Sequence, residues 1–391
     1  MNNIAAALCR LRVGWSGLAL ALIVASTGGC DRPTASSKAS DPIRIGQLAS
    51  LTGRQASLGQ YSHAGAVAAV KELNAAGGVL GRQIELITED LRSNSGEAAT
   101  AVRKLISRDG VAAIISSGTS GQALEAGPFC QQQGIPMVCD GATAQEVTAM
   151  GDAIFRVCFT DPFQGTVMAR FARENLKVQR IGLLVDSSSH YSVGLADFFK
   201  RRFLADGGTI VGEQKYSGGD RDFRPQLTAL KAAQPEALFI PGLYAETGLI
   251  LPQARELGIT GTMLGGDGWE APELLQLADK SAEGGYFPVH FSTASPTPRV
   301  REWMQRVAAE FGREPNGITA LGYDAVMLLA DAIRRAGTTD PAALRSALAT
   351  TKDFDGLTGR ITLDAQRNAQ KPAVIVKIED GAFKFLQTVE P

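Results

Sequence analysis

Apolar residues follow two alternating periods along the chain from Ile43 onward. Short aliphatic runs such as Ile43 to Leu48 are typical of buried strands, and longer segments between them carry apolar residues at helical spacing. The first such segment, about Tyr61 to Ala76, ends at Gly77-Gly78, where glycine can take the left-handed geometry of a helix C-cap. Strands that alternate with helices are typical of a parallel sheet covered by helices. The pattern therefore predicts an α/β fold.

This alternation falls into two blocks. The first begins at Ile43, and the pattern restarts after Phe155-Arg156-Val157 with a helix at about Pro162 to Asn175 and a strand at Arg180 to Val185. A chain of 391 residues exceeds what a single hydrophobic core usually organises. The sequence therefore predicts two α/β units, similar in their succession of elements but without an exact repeat.

The N-terminal segment has the pattern of an export signal. Arg10 and Arg12 precede an uncharged, mostly apolar run, Trp15 to Ala25, which is shorter than the ~18 residues that cross a bilayer as a helix. We therefore predict a signal peptide over residues 1–29 rather than a permanent transmembrane anchor. Residues 30–42 are mostly polar and Ser-rich and are expected to form a tether.

A short motif at the end of this signal indicates lipid attachment. Thr27-Gly28-Gly29-Cys30 resembles the lipobox of bacterial lipoproteins, in which the cysteine is lipidated and becomes the new N-terminus. The resemblance implies lipidation of Cys30 and, because Asp31 follows, retention at the inner membrane on the periplasmic side. Plain secretion with cleavage nearby is the alternative, since Thr27 stands where the lipobox usually has Leu.

Composition and charge narrow the class of partner. The chain is 45% hydrophobic and 20% charged, which suits an ordinary folded protein. Lys and Arg number 39 against 40 Asp and Glu, so the net charge of −1 gives no electrostatic reason to expect nucleic acid. The three histidines, His63, His190 and His290, lie far apart and supply no metal-ligand spacing. We expect no metal, no cofactor and no nucleic acid.

The cysteines leave two interpretations open. Cys9 belongs to the signal and Cys30 would be lipidated, which leaves Cys130, Cys139 and Cys158. One disulfide among these three is compatible with an oxidising compartment. Because Cys130 falls on a helix pattern and the other two fall on strand patterns, we favour buried apolar thiols.

Motifs for catalysis are incomplete in this sequence. Gly118 to Gln122 approaches a nucleophile elbow, but Gln122 stands where the second glycine is required. The glycine-rich run Gly77 to Arg82 lacks the Lys-Ser/Thr end of a P-loop. No Gly-x-Gly-x-x-Gly follows the first strand. The sequence therefore favours a binding protein over an enzyme.

Loops rich in hydroxyl groups and glycine follow several predicted strands. They are Ser50 to Gly59, Ser116 to Gly121, Gly141 to Thr143, Ser187 to Ser192 and Gly265 to Gly268. In open parallel sheets such loops lie at the carboxyl ends of the strands, where ligands bind. Ser116 to Gly121 precedes a helix, and the amide groups at a helix start attract a carboxylate. This run is a candidate anion seat, with ordinary N-capping as the alternative.

Several runs along the chain match a known pattern together. They are Thr52-Gly53 with Gly59, Val70 to Arg82, Ser116 to Ser120, Gly134-Ile135-Pro136, Phe155-Arg156 with Asp161, and Tyr191-x-x-Gly194. These runs resemble the periplasmic leucine/isoleucine/valine-binding proteins, which are the type I solute receptors of ABC importers. The resemblance covers essentially all of Ile43 to Leu386. Its most specific run, Glu72 to Arg82, is structural in the family and does not touch the ligand.

The resemblance implies a seat for an amino acid. The serine that holds the ligand α-carboxylate matches Ser120, and the loop that offers a carbonyl and a threonine matches Gly141 and Thr143. The acid that pairs with the α-ammonium matches Asp267, which is one methylene shorter than the usual Glu of the family. A solvated turn residue beside glycine is the alternative for Asp267.

Two tyrosines complete the implied ligand set. Tyr191 matches the tyrosine of the Tyr-x-x-Gly run, and Tyr244, or by a one-residue shift Leu243, matches a tyrosine that follows a later strand. Core packing or a surface position is the alternative for both tyrosines. The Thr52 to Gly59 loop lacks the aromatic residue that the family often places near the ligand side chain, which leaves branched-chain specificity open.

The fold implied by the resemblance is a type I periplasmic binding protein, with two doubly wound parallel-sheet lobes joined by a three-strand hinge. The N-terminal lobe would comprise residues 43–158 plus 287–370, and the C-terminal lobe residues 159–286 plus 371–391. The crossings are expected near Val157 to Asp161, near Gly285 to Val289, and between Asp364 and Ala373.

The function implied is binding without chemistry. The expected protein is a monomeric receptor that closes on a small amino acid, neutral or branched-chain, and delivers it to the permease and ATPase subunits of an ABC importer. Two alternatives stay open: a receptor of the same fold for an amide, urea or a carboxylic acid, and a ligand sensor for a membrane signalling partner.

Overall fold

The computed structural model describes residues 41–294 and 297–391. The predicted signal peptide over residues 1–29, the lipidation of Cys30 and nearly all of the predicted tether over residues 30–42 lie outside the described residues. None of the helices in the described ranges combines the length and the apolar character needed to span a membrane.

The first block of the chain alternates strands and helices, as predicted. Its elements are β1 (Ile43–Ala49), α1 (Ala56–Ala75), β2 (Ile84–Asp90), α2 (Ser95–Ser107), β3 (Ala113–Ser117), α3 (Ser120–Gln133), β4 (Met137–Cys139), α4 (Glu146–Ala149) and β5 (Ile154–Arg156). The strands form a parallel sheet, the first sheet, in the order β2-β1-β3-β4-β5. Because the strand order reverses at β1, the loops after β1 and β3 border the crevice where open α/β sheets bind ligands.

The alternation restarts after β5, again as predicted. The elements are α5 (Asp161–Arg170), β6 (Arg180–Asp186), α6 (His190–Ala205), β7 (Thr209–Tyr216), α7 (Arg224–Ala232), β8 (Ala237–Ile240), α8 (Tyr244–Glu256), β9 (Thr262–Gly265), α9 (Pro272–Ala278) and β10 (Tyr286–Val289). A π-helical turn over Phe171–Asn175 continues α5, and a 3₁₀ turn over Asp267–Trp269 follows β9.

The next part of the chain packs against the first-sheet side, and its three strands form a separate three-stranded sheet. The elements of this part are α10 (Pro298–Phe311), α11 (Gly317–Ala336), α12 (Pro341–Ala349), β11 (Phe354–Gly356), β12 (Gly359–Leu363) and β13 (Ala369–Gln370). Helix α11 packs backbone to backbone on α1: a Cβ at Gly65 would lie 1.9 Å from the Thr319 carbonyl oxygen, and a Cβ at Gly322 would lie 2.1 Å from that of Ser62. The two glycines therefore let α1 and α11 form one wall.

Two last strands complete a second sheet. They are β14 (Ala373–Glu379) and β15 (Ala382–Val389), and the second sheet has the order β15-β14-β10-β9-β8-β6-β7. The predicted parallel arrangement holds from β10 to β7, whereas β14 runs antiparallel to both β10 and β15. The antiparallel pairing of β14 with β15 has a local reason, because Asp380 and Gly381 between them have φ of 55° and 65°, which suits a two-residue hairpin turn.

Within the described residues, the chain crosses between the two sheets after β5, after β10 and between β13 and β14. Strand β10 pairs with β14 along its whole length, from Tyr286 to Val289. The predicted lobe boundary at residue 287 falls inside this strand, so the second crossing lies after Val289. The division into two moving lobes stays a prediction.

The three described cysteines, Cys130, Cys139 and Cys158, are buried and unpaired, as the strand and helix patterns favoured. Burial raises the pKa of the Cys130 and Cys139 thiols to about 12. These thiols are therefore inert core side chains.

Candidate functional site

A cleft between the two sheets brings together most of the predicted ligand residues. Its lining from the first-sheet side is Leu58, Ser62, Ser117, Gly118, Thr119, Ser120, Asp140, Gly141 and Ile318, and from the second-sheet side Tyr191, Leu243, Asp267 and Gly268. The cleft contains about 480 Å³ of space between atoms, part of which is open to solvent. Ser120, Gly141, Tyr191 and Asp267 therefore share one cleft, whereas Thr143 and Tyr244 lie outside its lining.

The first-sheet side of the cleft carries the amino terminus of α3. Helix α3 begins at Ser120, and the amides of its first turn have no acceptor within the helix. The Ser120 hydroxyl accepts a hydrogen bond from the Ala144 amide at 3.1 Å, which leaves its own hydrogen free to donate. Thr119 and Gln122 form an ordinary capping box at this helix start, while the Ser120 hydroxyl and the remaining first-turn amides are donors that suit an anionic group.

A buried arginine holds the adjoining loop. Arg156 is completely buried and donates to the carbonyl oxygens of Ala142 and Ala144, both at 2.8 Å. These bonds fix the loop that carries Gly141 and Thr143. The Thr143 hydroxyl is buried and has no hydrogen-bond partner of good geometry within the described residues, although it lies close enough to Asp161 to favour the ionised form of that carboxyl.

Asp267 lies in the opposite side of the cleft, on the turn after β9, and is 5% exposed. Its Oδ1 accepts hydrogen bonds from Tyr191 Oη at 2.8 Å and from Gln164 Nε2 at 3.0 Å. Its Oδ2 accepts one from His290 Nε2 at 3.0 Å. Asp267 is therefore a buried, positioned carboxyl group, and the alternative of a solvated turn residue is wrong.

Sequence reasoning missed two of these partners, Gln164 and His290. His290 is completely buried, stacks on Phe159 with 3.6 Å between ring centroids, and has its pKa lowered by burial. It follows the last residue of β10, where no spacing or motif marked it. Only the fold brings this histidine to Asp267, since the two residues follow different strands of the second sheet.

A second carboxyl group lies beside Asp267. Gln164 Nε2 donates to Asp161 Oδ1 at 2.8 Å as well as to Asp267 Oδ1. Burial, with the nearby negative charge of Asp267 as the second cause, raises the pKa of Asp161 to about 8. The two carboxyl groups therefore share an environment that favours one neutral member at pH 7.

This carboxyl group predicts how stability depends on pH. The native pKa of Asp161, about 8, lies above the ordinary value of 3.8, so its stabilising contribution is complete below 3.8 and is lost as pH rises through 8. We expect the free energy of unfolding to fall between pH 5.5 and 8.5, and Asp161→Asn to remove at least about 1 kcal/mol of that fall. Urea unfolding at both pH values measures this.

Other groups contribute to the same pH profile. Asp140, with a pKa of about 7, and Glu270, with a pKa of about 8, act in the same direction as Asp161. His63 and His290, whose pKa values are lowered, act in the opposite direction near pH 6.5. The comparison of the wild-type protein with Asp161→Asn cancels these contributions, so an identical fall in both proteins would contradict the role given to Asp161.

Tyr244 is buried outside the lining of the cleft and contacts the start of α1. Its hydroxyl donates to the Arg54 carbonyl oxygen at 2.8 Å and accepts from the Ser57 amide at 3.3 Å. Ser57 Oγ donates to Glu273 Oε2 at 2.6 Å. These contacts join the start of α1 to the second-sheet side, and Leu243, one residue before the tyrosine, is the residue that lines the cleft.

Asp140 is a further lining residue that the sequence did not reveal as a site residue. It is 2% exposed, and its Oδ2 accepts hydrogen bonds from Ser62 Oγ and Ser117 Oγ. Burial raises the pKa of this carboxyl to about 7. The available signal was its position directly after a buried strand and directly before the predicted loop that begins at Gly141.

Comparison with known proteins shows that the chain is similar to periplasmic binding proteins. Residues 42–382 match a family model described as periplasmic binding protein. The chain is 31% identical over 348 residues to the Leu/Ile/Val-binding protein homolog 3 of Brucella melitensis, which covers 88% of this chain and 94% of that protein.

The chain is also similar to solved structures of solute-binding proteins. A leucine-binding protein from Thermotoga maritima superposes with a TM-score of 0.86 at 35% identity, covering 89% of this chain and 99% of that chain. A solute-binding protein of an ABC transporter from Rhodopseudomonas palustris, in complex with 3,4-dihydroxybenzoic acid, superposes with a TM-score of 0.82 at 26% identity, covering 90% and 98%.

Proposed function

The chain belongs to the periplasmic binding protein family, and we propose that it is the extracytoplasmic solute receptor of an ABC importer. It binds a small amino acid, neutral or branched-chain, between the two sheets and delivers it to a membrane permease with its ATPase subunits. The observation that carries the proposal is that the amino terminus of α3 and Asp267 line one cleft from its two sides.

The charges of the cleft suit a zwitterion. A buried amino acid brings one carboxylate and one ammonium group, and each needs a partner because an unpaired buried charge is costly. The first-turn amides of α3 and the Ser120 hydroxyl suit the carboxylate. Asp267 suits the ammonium group, since its Oδ2 accepts only one protein hydrogen bond within the described residues.

A carboxylic acid without an ammonium group is the second candidate ligand. Asp267 already receives hydrogen bonds from Tyr191, Gln164 and His290, so the carboxyl group can remain buried without a ligand cation. The Rhodopseudomonas palustris neighbour was solved with 3,4-dihydroxybenzoic acid, whereas the Brucella and Thermotoga relatives are described as binding branched-chain amino acids.

The mechanism is closure on the ligand without chemistry. Hydrogen bonds of Tyr244 and Ser57 join the start of α1 to the second-sheet side. Together with the ion pair between Arg54 and Glu246 at 3.1 Å, they hold the two sides in a closed form. A ligand that contacts both sides favours this form over an open one. The receptor acts as a monomer in the periplasm, exported by residues 1–29 and held at the inner membrane by lipid on Cys30.

A thermal-shift screen of L-amino acids, amides and aromatic acids tests the proposal. We expect a neutral L-amino acid to raise the melting temperature by several degrees, and calorimetry to show that Ser120→Ala weakens its binding more than tenfold. Ser187→Ala, which removes a hydroxyl outside the cleft, should leave the affinity within twofold. Binding of aromatic acids alone would favour the second candidate, and unchanged affinity in Ser120→Ala would contradict the seat.

A further inference from the structure

One carboxyl group that lines the cleft, that of Asp140, has no role in binding the α-carboxylate or the α-ammonium group of the ligand. Asp140 Oδ2 accepts hydrogen bonds from Ser62 Oγ at 2.5 Å and from Ser117 Oγ at 2.6 Å. Within residues 41–294 and 297–391, no group donates a hydrogen bond to Oδ1, although the residue is 2% exposed and lines the cleft. One oxygen is therefore committed to the protein and the other is available to a ligand.

The surrounding hydrogen bonds hold this carboxyl group in place. Gln47 Nε2 donates to Ser117 Oγ at 2.8 Å, so the Ser117 hydroxyl hydrogen is left for Asp140. Ser62 donates from α1, one helical turn after Leu58. Asp140 is thus fixed from β3 and α1 as an acceptor, which lowers the entropic cost of accepting a further hydrogen bond.

The described part of the chain provides no cation that pairs with Asp140. Burial raises the pKa of this carboxyl to about 7, against hydrogen bonds that lower it. A buried carboxyl without a charged partner is costly, and a donor on the ligand would offset that cost. An apolar side chain on the ligand would leave Asp140 Oδ1 unpaired when the cleft closes, and the cost of that unpaired oxygen would oppose binding.

Two apolar side chains line the same side of the cleft as Asp140. Leu58 from α1 and Ile318 from α11 line the cleft beside Ser62, and these two helices are in direct contact. When Ser120 and Asp267 bind the α-groups of a ligand, its side chain contacts these apolar residues. The wall fits a short aliphatic stem that ends in a polar group.

We propose that Asp140 selects for a hydrogen-bond donor on the side chain of the ligand, so that the receptor prefers an amino acid with a side-chain hydroxyl or ammonium group to an apolar one of the same shape. The inference rests on the proposed function, because it takes the α-carboxylate and α-ammonium as bound by Ser120 and Asp267.

Two isosteric pairs of amino acids test this inference by calorimetry. L-Threonine is compared with L-valine, and L-2,4-diaminobutyrate with L-norvaline. We expect the polar member of at least one pair to bind the wild-type protein at least tenfold more tightly than its apolar partner. In Asp140→Ala the ratio should fall to within twofold, whereas Ser187→Ala, which removes a hydroxyl outside the cleft, should retain the preference.

A ratio measured within one variant does not depend on how much of that variant is folded. Asp140→Asn distinguishes a hydroxyl donor from an ammonium donor on the ligand. It keeps an acceptor for a hydroxyl but loses the negative charge that attracts an ammonium group. Equal or tighter binding of valine and norvaline by the wild-type protein would overturn the inference and leave the proposed function intact, as would a preference that persists in Asp140→Ala. Failure of all amino acids to bind would overturn both.

Discussion

Replacing Asp267 with asparagine is expected to weaken the binding of a neutral L-amino acid at least a hundredfold. The substitution keeps the shape of the side chain and removes the negative charge that pairs with the α-ammonium group. Removing one partner of a buried charge pair costs about 2–5 kcal/mol of binding free energy, because the other charge stays buried without compensation. Isothermal titration calorimetry with L-leucine, L-valine and L-threonine measures the change, and Asp267→Ala should abolish binding.

A matched control separates this charge from a general loss of structure. Asp186 ends β6, lies outside the lining of the cleft, and accepts hydrogen bonds from Ser188. Asp186→Asn should therefore change the affinity by less than twofold. A second control uses 4-methylpentanoate, which is leucine without the ammonium group, and any affinity for it should respond little to Asp267→Asn. Unchanged affinity for the amino acids would refute the role of Asp267 as ammonium partner.

Replacing Lys371 with methionine is expected to lower the free energy of unfolding by about 3 kcal/mol, the lower end of the cost of leaving a buried charge without its compensating charge. Lys371 is 2% exposed and lies where the chain passes from β13 to β14. Its Nζ donates to Thr358 Oγ1, which in turn donates to Asp324 Oδ2 at 2.6 Å. Burial lowers the pKa of Lys371 to about 8, while the charge of Asp324 acts against that shift.

The cost arises because Asp324 is itself buried. Its carboxylate accepts hydrogen bonds from the amides of Leu357 and Thr358 at 2.7 and 2.9 Å, and burial raises its pKa while Lys371 lowers it. Without the lysine, the negative charge of Asp324 would be stabilised by these hydrogen bonds alone. Urea unfolding of Lys371→Met, alone and combined with Asp324→Asn, measures the effect, and the double variant should regain a substantial part of the loss.

Lys377→Met is the control, because Lys377 is a lysine of the same segment that pairs with Glu379 at the surface. Its unfolding midpoint should equal that of the wild-type protein within error. If Lys371→Met were no less stable than Lys377→Met, the buried charges would not stabilise this crossing.

Sequence reasoning was most successful where the signal is local. The alternation of strands and helices depends on side-chain periodicity alone, and it predicted the succession of elements in both sheets. Ser120 and Gly141 follow strands of the first sheet, and the carboxyl ends of parallel strands meet at one edge. Strand β15 is a local feature that the sequence analysis overlooked: Asp380-Gly381 is a hairpin signal, and it makes the edge of the second sheet antiparallel.

Features that depend on contacts between two distant segments could not be predicted from the sequence. Helix α1 begins at Ala56, five residues before its predicted start at Tyr61, and its first turn is held by Tyr244 and Glu273 from the second-sheet side. The choice between Tyr244 and Leu243 likewise depended on which side chain turns to the cleft. A helix boundary set by partners nearly 200 positions away along the chain leaves no periodic trace.

The sequence by itself determined the class of fold, the two blocks, the oxygen-rich loops and the family resemblance, because each depends on residue types at short spacing. Only the tertiary structure decided that Asp267 is buried against Tyr191, Gln164 and His290, and that Asp140 lines the cleft with one oxygen uncommitted. The physical reason is that burial and charge pairing are properties of the packed environment. The same aspartate is a solvated turn residue or a ligand partner according to what surrounds it.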